Sequence, residues 1–156
     1  MTKNVKKFIF LIVAIGLAAV LWYGLSPLFN QTSLDEPLPI ASPTATSSGL
    51  VELAREPIMD TTIHPASGSV VILEQADVRT LRYENLQTIN GPDLFVYLST
   101  DRDATDFIEL GPLKATQGNI NYVIPAGTDL AKYKYALVWC KQFDVLFNSA
   151  DLGMSN

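Results

Sequence analysis

The stretch "YALVWCKQFDVLF", residues 135–147, consists of two short apolar runs separated by a polar turn. Valine, tryptophan, tyrosine and phenylalanine favour strands, and the residues KQFD between the runs are typical of a turn. In a regular first strand the side chains alternate, so that Val138 and Cys140 share one face and Trp139 lies on the other. The stretch predicts two strands with the chain's single cysteine beside the turn, although a bulge near Gln142 would exchange the faces.

Five further segments are also short, rich in Val, Ile, Leu, Phe and Tyr, and bounded by Gly, Pro, Asn or Asp. They cover residues 69–75, 78–86, 93–100, 106–110 and 119–125. Regularly spaced short strands predict an all-β domain, here an antiparallel β-sandwich or barrel of about seven to eight strands. The earlier segment 50–60 fits either a short helix or an edge strand.

The N-terminal part is different in kind, because three lysines precede an uncharged apolar run from Phe8 to Leu25. As a helix this run would be about 27 Å long, close to the hydrocarbon thickness of a bilayer. A cleaved secretory signal has a shorter apolar core and small residues before the cut, which this sequence does not offer. We therefore expect an uncleaved transmembrane signal anchor. The preceding lysines place the amino end in the cytoplasm and the domain on the outer side of the membrane.

The chain therefore divides into four predicted parts. These are a basic cytoplasmic tail at 1–7, a transmembrane anchor at 8–25, a linker at 26–49 and the β domain at 50–156. The linker is rich in Pro, Ser and Thr without apolar periodicity, which predicts a disordered tether.

The charge and the cysteine count exclude several classes of function. Residues 50–156 contain 8 basic and 14 acidic side chains, a net charge of −6. This balance argues against binding of nucleic acid, which requires a basic face. One cysteine cannot form an intrachain disulfide, even in a compartment where disulfides persist. The expected partners are the membrane, through residues 8–25, and a redox protein or an extracellular ligand.

Cys140 is the residue on which function depends in this sequence, and it has two interpretations. It is either a buried thiol that packs as a small hydrophobe or a redox-active or ligating thiol that something outside the fold must reach. Lys141 would lower its pKa only if both side chains leaned together, whereas adjacent strand residues point apart. Trp139 and the only histidine, His64, are further candidates for binding a cofactor, although His64 beside Pro65 also fits a loop-bracing role.

The possible cofactors are limited by the ligands that the chain offers. A closed zinc site needs four ligands, which one His and one Cys do not supply, and no metal site is predicted. A haem with axial ligands from His64, Cys140, Met59 or Met154 is conceivable. A covalent c-type haem is excluded because the C-x-x-C-H motif is missing, and no G-x-S-x-G motif or catalytic triad indicates an enzyme.

Several spaced motifs give the domain a family resemblance. They are G-P-D-L at 91–94, L-G-x-L at 110–113, N-Y-x-I-P at 121–125 and W-C-x-x-F at 139–143. In this order they resemble the DM-thirteen domain, also called the electron-transfer DM domain, from about Ile63 to Leu152. The resemblance implies a sandwich-like extracellular or membrane-tethered module with a redox role. It maps the family's cysteine, a bare thiol or a cofactor ligand, onto Cys140.

Two functions follow as hypotheses. The first is a membrane-anchored extracytoplasmic domain with a redox or electron-transfer role centred on Cys140. The second is a non-catalytic binding or adhesion module, which is favoured because the sequence shows no arrangement of catalytic residues. In either case we do not expect the chain to be an enzyme by itself.

Overall fold

The computed structural model describes residues 3–29, 31–39 and 49–153 of the chain. These residues belong to two compact units, which divide between Asn30 and Gln31. Residues 40–48, which belong to the predicted linker, lie outside the described residues.

The first unit is a single helix, α1, from Lys3 to Phe29. It contains the apolar run for which the sequence predicts a membrane crossing. Within the described residues, no helix combines the length and the mean hydropathy that a membrane crossing requires. The membrane anchor therefore stays a prediction.

The second unit is an all-β domain of two five-stranded sheets. The first sheet has the strand order β1-β8-β5-β4-β2 and the second has β3-β10-β9-β6-β7. The strands are β1 (Ser33–Asp35), β2 (Val51–Pro57), β3 (Met59–Asp60), β4 (Ala66–Gln75), β5 (Val78–Thr88), β6 (Leu94–Ser99), β7 (Phe107–Pro112), β8 (Gln117–Val123), β9 (Tyr135–Cys140) and β10 (Val145–Asp151). Every pairing is antiparallel except that of β1 with β8. The sheets form a sandwich and do not close into a barrel.

The core lies between the two sheets. Its members include Leu81 and Ile120 from the first sheet and Val96 and Val138 from the second, all without solvent exposure. Burial of each such side chain contributes about 1.5–3 kcal/mol to folding. A second, smaller cluster of buried side chains covers the outer face of the second sheet.

Strand β1 departs from the prediction, because it lies inside the segment 26–49 that the sequence predicts to be a disordered linker. The backbone carbonyl of Thr32 accepts hydrogen bonds from Thr116 N at 2.9 Å and Gln117 N at 3.0 Å. Farther along, the buried Arg82 donates through Nη1 to Glu36 O at 3.1 Å and to Pro37 O at 3.2 Å. Backbone pairing and a buried guanidinium therefore order a segment whose composition predicts no structure.

The segment 50–60 forms strands and no helix. Strand β2 pairs with β4 at the edge of the first sheet, and Pro57 ends it. Strand β3 follows and pairs with β10 in the second sheet. Of the two alternatives that the sequence left open, the edge strand is the one observed.

We predict that Gly118→Ala detaches β1. Gly118 has a φ of +108°, and an added Cβ would lie 2.2 Å from the carbonyl oxygen of Leu34. Gly111→Ala is the matched control, because Gly111 has a φ of +122° but no atom within 4 Å of an added Cβ. Both variants bear backbone strain of roughly 1–3 kcal/mol. Only Gly118→Ala should lower the free energy of unfolding, measured in urea, by a further ~2 kcal/mol, because it also breaks hydrogen bonds of β1.

Hydrogen exchange gives the local measurement. In Gly118→Ala the amides of Glu36 and Gln117 should lose protection, and in Gly111→Ala they should keep it. Equal losses of stability and equal protection in the two variants would show that β1 does not depend on the close approach at Gly118.

Candidate functional site

Cys140 is the last residue of β9, and its side chain lies between the two sheets. Ala136 and Val138 belong to the same buried cluster, whereas Leu137 and Trp139 belong to the cluster on the outer face. The alternation predicted from the sequence is therefore confirmed. Cys140 has no solvent exposure, so it is on the interior face.

The sulfur is covered by the loop that joins β5 to β6. The Cys140 Sγ donates a hydrogen bond to the carbonyl oxygen of Pro92, with a separation of 2.9 Å. The carbonyl of the next residue, Asp93, accepts from Lys141 N at 3.1 Å. Gly91 and Pro92 are half-buried and Asp93 is exposed. A loop with partly exposed backbone therefore lies against the thiol.

Trp139 lies on the opposite side of the strand from Cys140. Its indole Nε1 donates to Asp144 Oδ1 at 3.2 Å, and the side chain is 8% exposed. Tyr97 packs in the same outer cluster. Burial, followed by the charges of Glu109, Asp93 and Asp144, raises the pKa of Tyr97 to about 12. The outer face beside Trp139 is therefore aromatic and carries charged groups of both signs.

Lys141 does not approach the thiol. Its Nζ forms an ion pair with Glu109 Oε2 at 2.6 Å and lies 3.7 Å from the centre of the Phe95 ring. Both partners are on strands beside the outer face, which agrees with the expectation that neighbouring side chains in a strand point apart. The side chain that could have activated Cys140 by its charge is used elsewhere.

His64 stacks on Phe147, with ring centres 3.8 Å apart and planes inclined by 13°. Its Nδ1 is hydrogen-bonded to Thr61 Oγ1 at 2.9 Å. Burial lowers the pKa of His64, and a hydrogen bond to the backbone of Leu146 opposes this in part. The Phe147 ring also contacts Gly91, where an added Cβ would lie 2.6 Å from Cζ. His64 therefore braces the ring that supports the loop over Cys140.

Two of the predicted site residues, Cys140 and His64, do not contact each other directly. Among the described residues no hydrogen bond or ring contact joins Cys140 to His64, and no three acidic, thiol or imidazole groups could hold a metal ion together. The third candidate haem ligand is Met59, whose sulfur accepts a hydrogen bond from Arg102 Nη2 at 3.2 Å. The fourth candidate, Met154, lies outside the described residues.

Three residues of the site were not found from the sequence. Pro92 supplies the acceptor for the thiol, Phe147 supports the loop, and Asp144 holds the indole of Trp139. The G-P-D-L motif marks the position of Pro92, but its only evident meaning in the sequence is a turn. Nothing in the sequence around Phe147 distinguishes it from an ordinary core residue.

Surface clefts lie away from Cys140. A cleft of about 630 Å³ is lined by residues that include Glu56, Arg79 and Asp129, and a second of about 560 Å³ by residues that include Lys114 and Tyr122. Neither Cys140 nor Trp139 nor His64 lines either cleft. In this conformation, the sulfur is not reached through either of them.

Comparison with known proteins gives one match. The sequence model of a family described as electron transfer DM13 matches residues 59–152, which run from β3 to just beyond β10. No curated protein and no solved structure matches the chain. The matched range includes Cys140 and the whole of the loop that covers it.

We predict that His64 makes the domain less stable in mild acid. Its pKa in the unfolded chain is near the ordinary value of 6.5, and burial lowers it in the folded domain. The unfolded chain therefore binds the proton first, so that stability is complete above about pH 6.5 and falls as the pH drops towards the folded pKa. Urea unfolding of residues 31–156 at pH 7.5 and at pH 5.5 measures the change.

The control for this prediction is His64→Phe, which retains an aromatic stack and cannot titrate. His64 is the only histidine, so the difference in pH dependence between the two proteins isolates it. An imidazole pKa at or above 6.5 in the folded domain, read from its NMR titration, would contradict the prediction.

Proposed function

The chain belongs to the electron transfer DM13 family, and on that basis we propose that its β-sandwich takes part in electron transfer with the Cys140 thiol at the centre. The thiol serves either as the redox-active group or as a ligand to a cofactor whose identity is unknown. Trp139, one peptide bond away, is the aromatic side chain on the outer face of the same strand. The chain is not proposed to be an enzyme by itself.

One observation carries this proposal. The matched range includes the G-P-D-L motif at 91–94 and the W-C-x-x-F motif at 139–143. The hydrogen bond from Cys140 Sγ to Pro92 O, with a separation of 2.9 Å, joins the two motifs. Free buried cysteines generally behave as small hydrophobes with a weak S–H donor. In this chain the sulfur of the single cysteine lies at the end of a strand and donates a hydrogen bond to the Pro92 carbonyl oxygen in a loop.

We further propose that α1 anchors the domain on the outer side of a membrane through residues 8–25. Three lysines precede the apolar run, and large side chains such as Phe8, Phe10 and Trp22 are exposed on the helix. Apolar side chains that remain exposed on a helix can be buried in hydrocarbon. The orientation follows from the lysines at the amino end.

The anchor predicts the behaviour of the full-length chain in membrane fractionation. The wild-type chain should remain in the membrane pellet after an alkaline carbonate wash, and the double variant Val13→Lys/Leu17→Lys should be released. Each lysine at the centre of a span costs about 2.5–3.5 kcal/mol. Val13→Ala/Leu17→Ala is the control and should stay in the pellet. Release of the wild-type chain would exclude the anchor.

The redox role is tested on full-length protein isolated without oxygen from its own membrane. An absorption spectrum and metal analysis first establish whether a cofactor is bound, and voltammetry then measures electron exchange. The redox signal of Cys140→Ala should be at least about tenfold smaller than that of the wild-type chain, because no other cysteine can replace Cys140. Val138→Ala is the matched control because it truncates a buried side chain on the same face of β9, and it should retain the signal.

A second candidate function is favoured by the complete burial of Cys140. A sealed thiol contributes packing, and the domain would then act as a binding or adhesion module that presents its loops and clefts. The voltammetry separates the two functions. Equal signals in Cys140→Ala and Val138→Ala, or no signal in the wild-type chain, would support the binding module.

A further inference from the structure

Large apolar side chains are exposed on two turns at one end of the β domain. Ile63 is 74% exposed between β3 and β4, and Phe143 is 62% exposed between β9 and β10. Strand β3 runs antiparallel to β10, so that the chain leaves β3 towards the end where β10 begins. There His64, the neighbour of Ile63, stacks on Phe147 of β10. The two exposed side chains therefore belong to the same end of the sandwich.

The N-terminal connection of the β domain lies at this same end. Gln31 lines a surface cleft together with Pro65, two residues after Ile63, and with Thr88 at the end of β5. In the sequence only Asn30 stands between Gln31 and the last residue of α1. Two extended peptide units span at most about 7 Å. Under the proposed anchoring of α1, this end of the domain therefore emerges next to the lipid headgroups.

We propose that the turns of Ile63 and Phe143 insert into the headgroup region of the bilayer and hold the β domain against the lipid surface. This inference rests on the proposed membrane anchor, which brings the two turns to the membrane. Apolar and aromatic side chains on a polar body favour the membrane interface. Two side chains bind weakly by themselves, but the short connection to α1 makes their binding intramolecular and raises their effective concentration.

The charge of the domain indicates which lipid this end binds. Residues 50–156 carry a net charge of −6, and the lysine of the second turn, Lys141, is paired with Glu109 at 2.6 Å. Asp93 and Asp144 are exposed at the same end. Anionic lipids attract basic segments, whereas this end is acidic. Its lipid is therefore zwitterionic, such as phosphatidylcholine, and apolar contact is the source of binding.

The test uses the full-length chain in phosphatidylcholine nanodiscs that contain a lipid with a nitroxide on its headgroup. NMR measures how much the nitroxide speeds the relaxation of each amide proton. This enhancement should be larger at 62–64 and 142–144 than at 76–77, the turn at the opposite end of β4. Ile63→Ser/Phe143→Ser should lower it at both turns at least about threefold, because apolar burial is lost. Val51→Ser/Val123→Ser, which alters exposed valines near the opposite end, is the matched control and should leave it unchanged.

The proposal is overturned if the enhancement is equal at the two ends of the sandwich, or if Ile63→Ser/Phe143→Ser retains it. An enhancement that appears only after phosphatidylserine is added would also overturn it, because charge and not apolar contact would then hold the domain. The carbonate wash keeps this result separate from the anchor. A chain that stays in the membrane pellet without enhancement at the two turns would refute the docking and leave the anchor in place. A chain that the wash releases, but whose turns show the enhancement, would do the reverse.

Discussion

The hydrogen-bonded position of β9 between β6 and β10 is the constraint on which the whole site depends. Because side chains alternate along a strand, this register directs Cys140 into the core and Trp139 to the outer face. A slip by one residue would exchange the two, leaving a bulky indole between the sheets and an exposed thiol outside. The same strand thus determines which side chain lies in the core and which lies on the outer face.

Much of the fold could be predicted from the sequence because most of the strands carry a local signal. Segments such as 69–75 and 93–100 are apolar, β-branched and bounded by turn residues, and they form β4 and β6. Strand β1 could not be predicted in this way. It is three residues long, lies in a Pro- and Thr-rich segment, and is stabilised by pairing with β8 and by the buried Arg82, both of which depend on tertiary structure.

For the candidate site too, only the features with a local sequence signal could be predicted. The opposite directions of Cys140 and Lys141 follow from strand periodicity and were predicted. The stack of His64 on Phe147 and the bond from Cys140 to Pro92 join residues that are far apart in the chain, and the latter pair is 48 positions apart. No local pattern encodes such pairs, so that the sequence identified the thiol and the imidazole but did not reveal what each one contacts.

The place of Cys140 at the end of β9 distinguishes it from the other buried side chains of that strand. Val138, two residues earlier, is paired on both sides with strand residues, Val96 and Asn148, and can be exposed only if the sandwich opens. Cys140 is also paired on both sides, with Leu94 and Val145, but it ends the strand, and its sulfur donates a hydrogen bond to Pro92, which belongs to no strand. The thiol therefore combines the burial of a core side chain with a polar partner in a loop, and its exposure would require displacement of that loop or of the sheets.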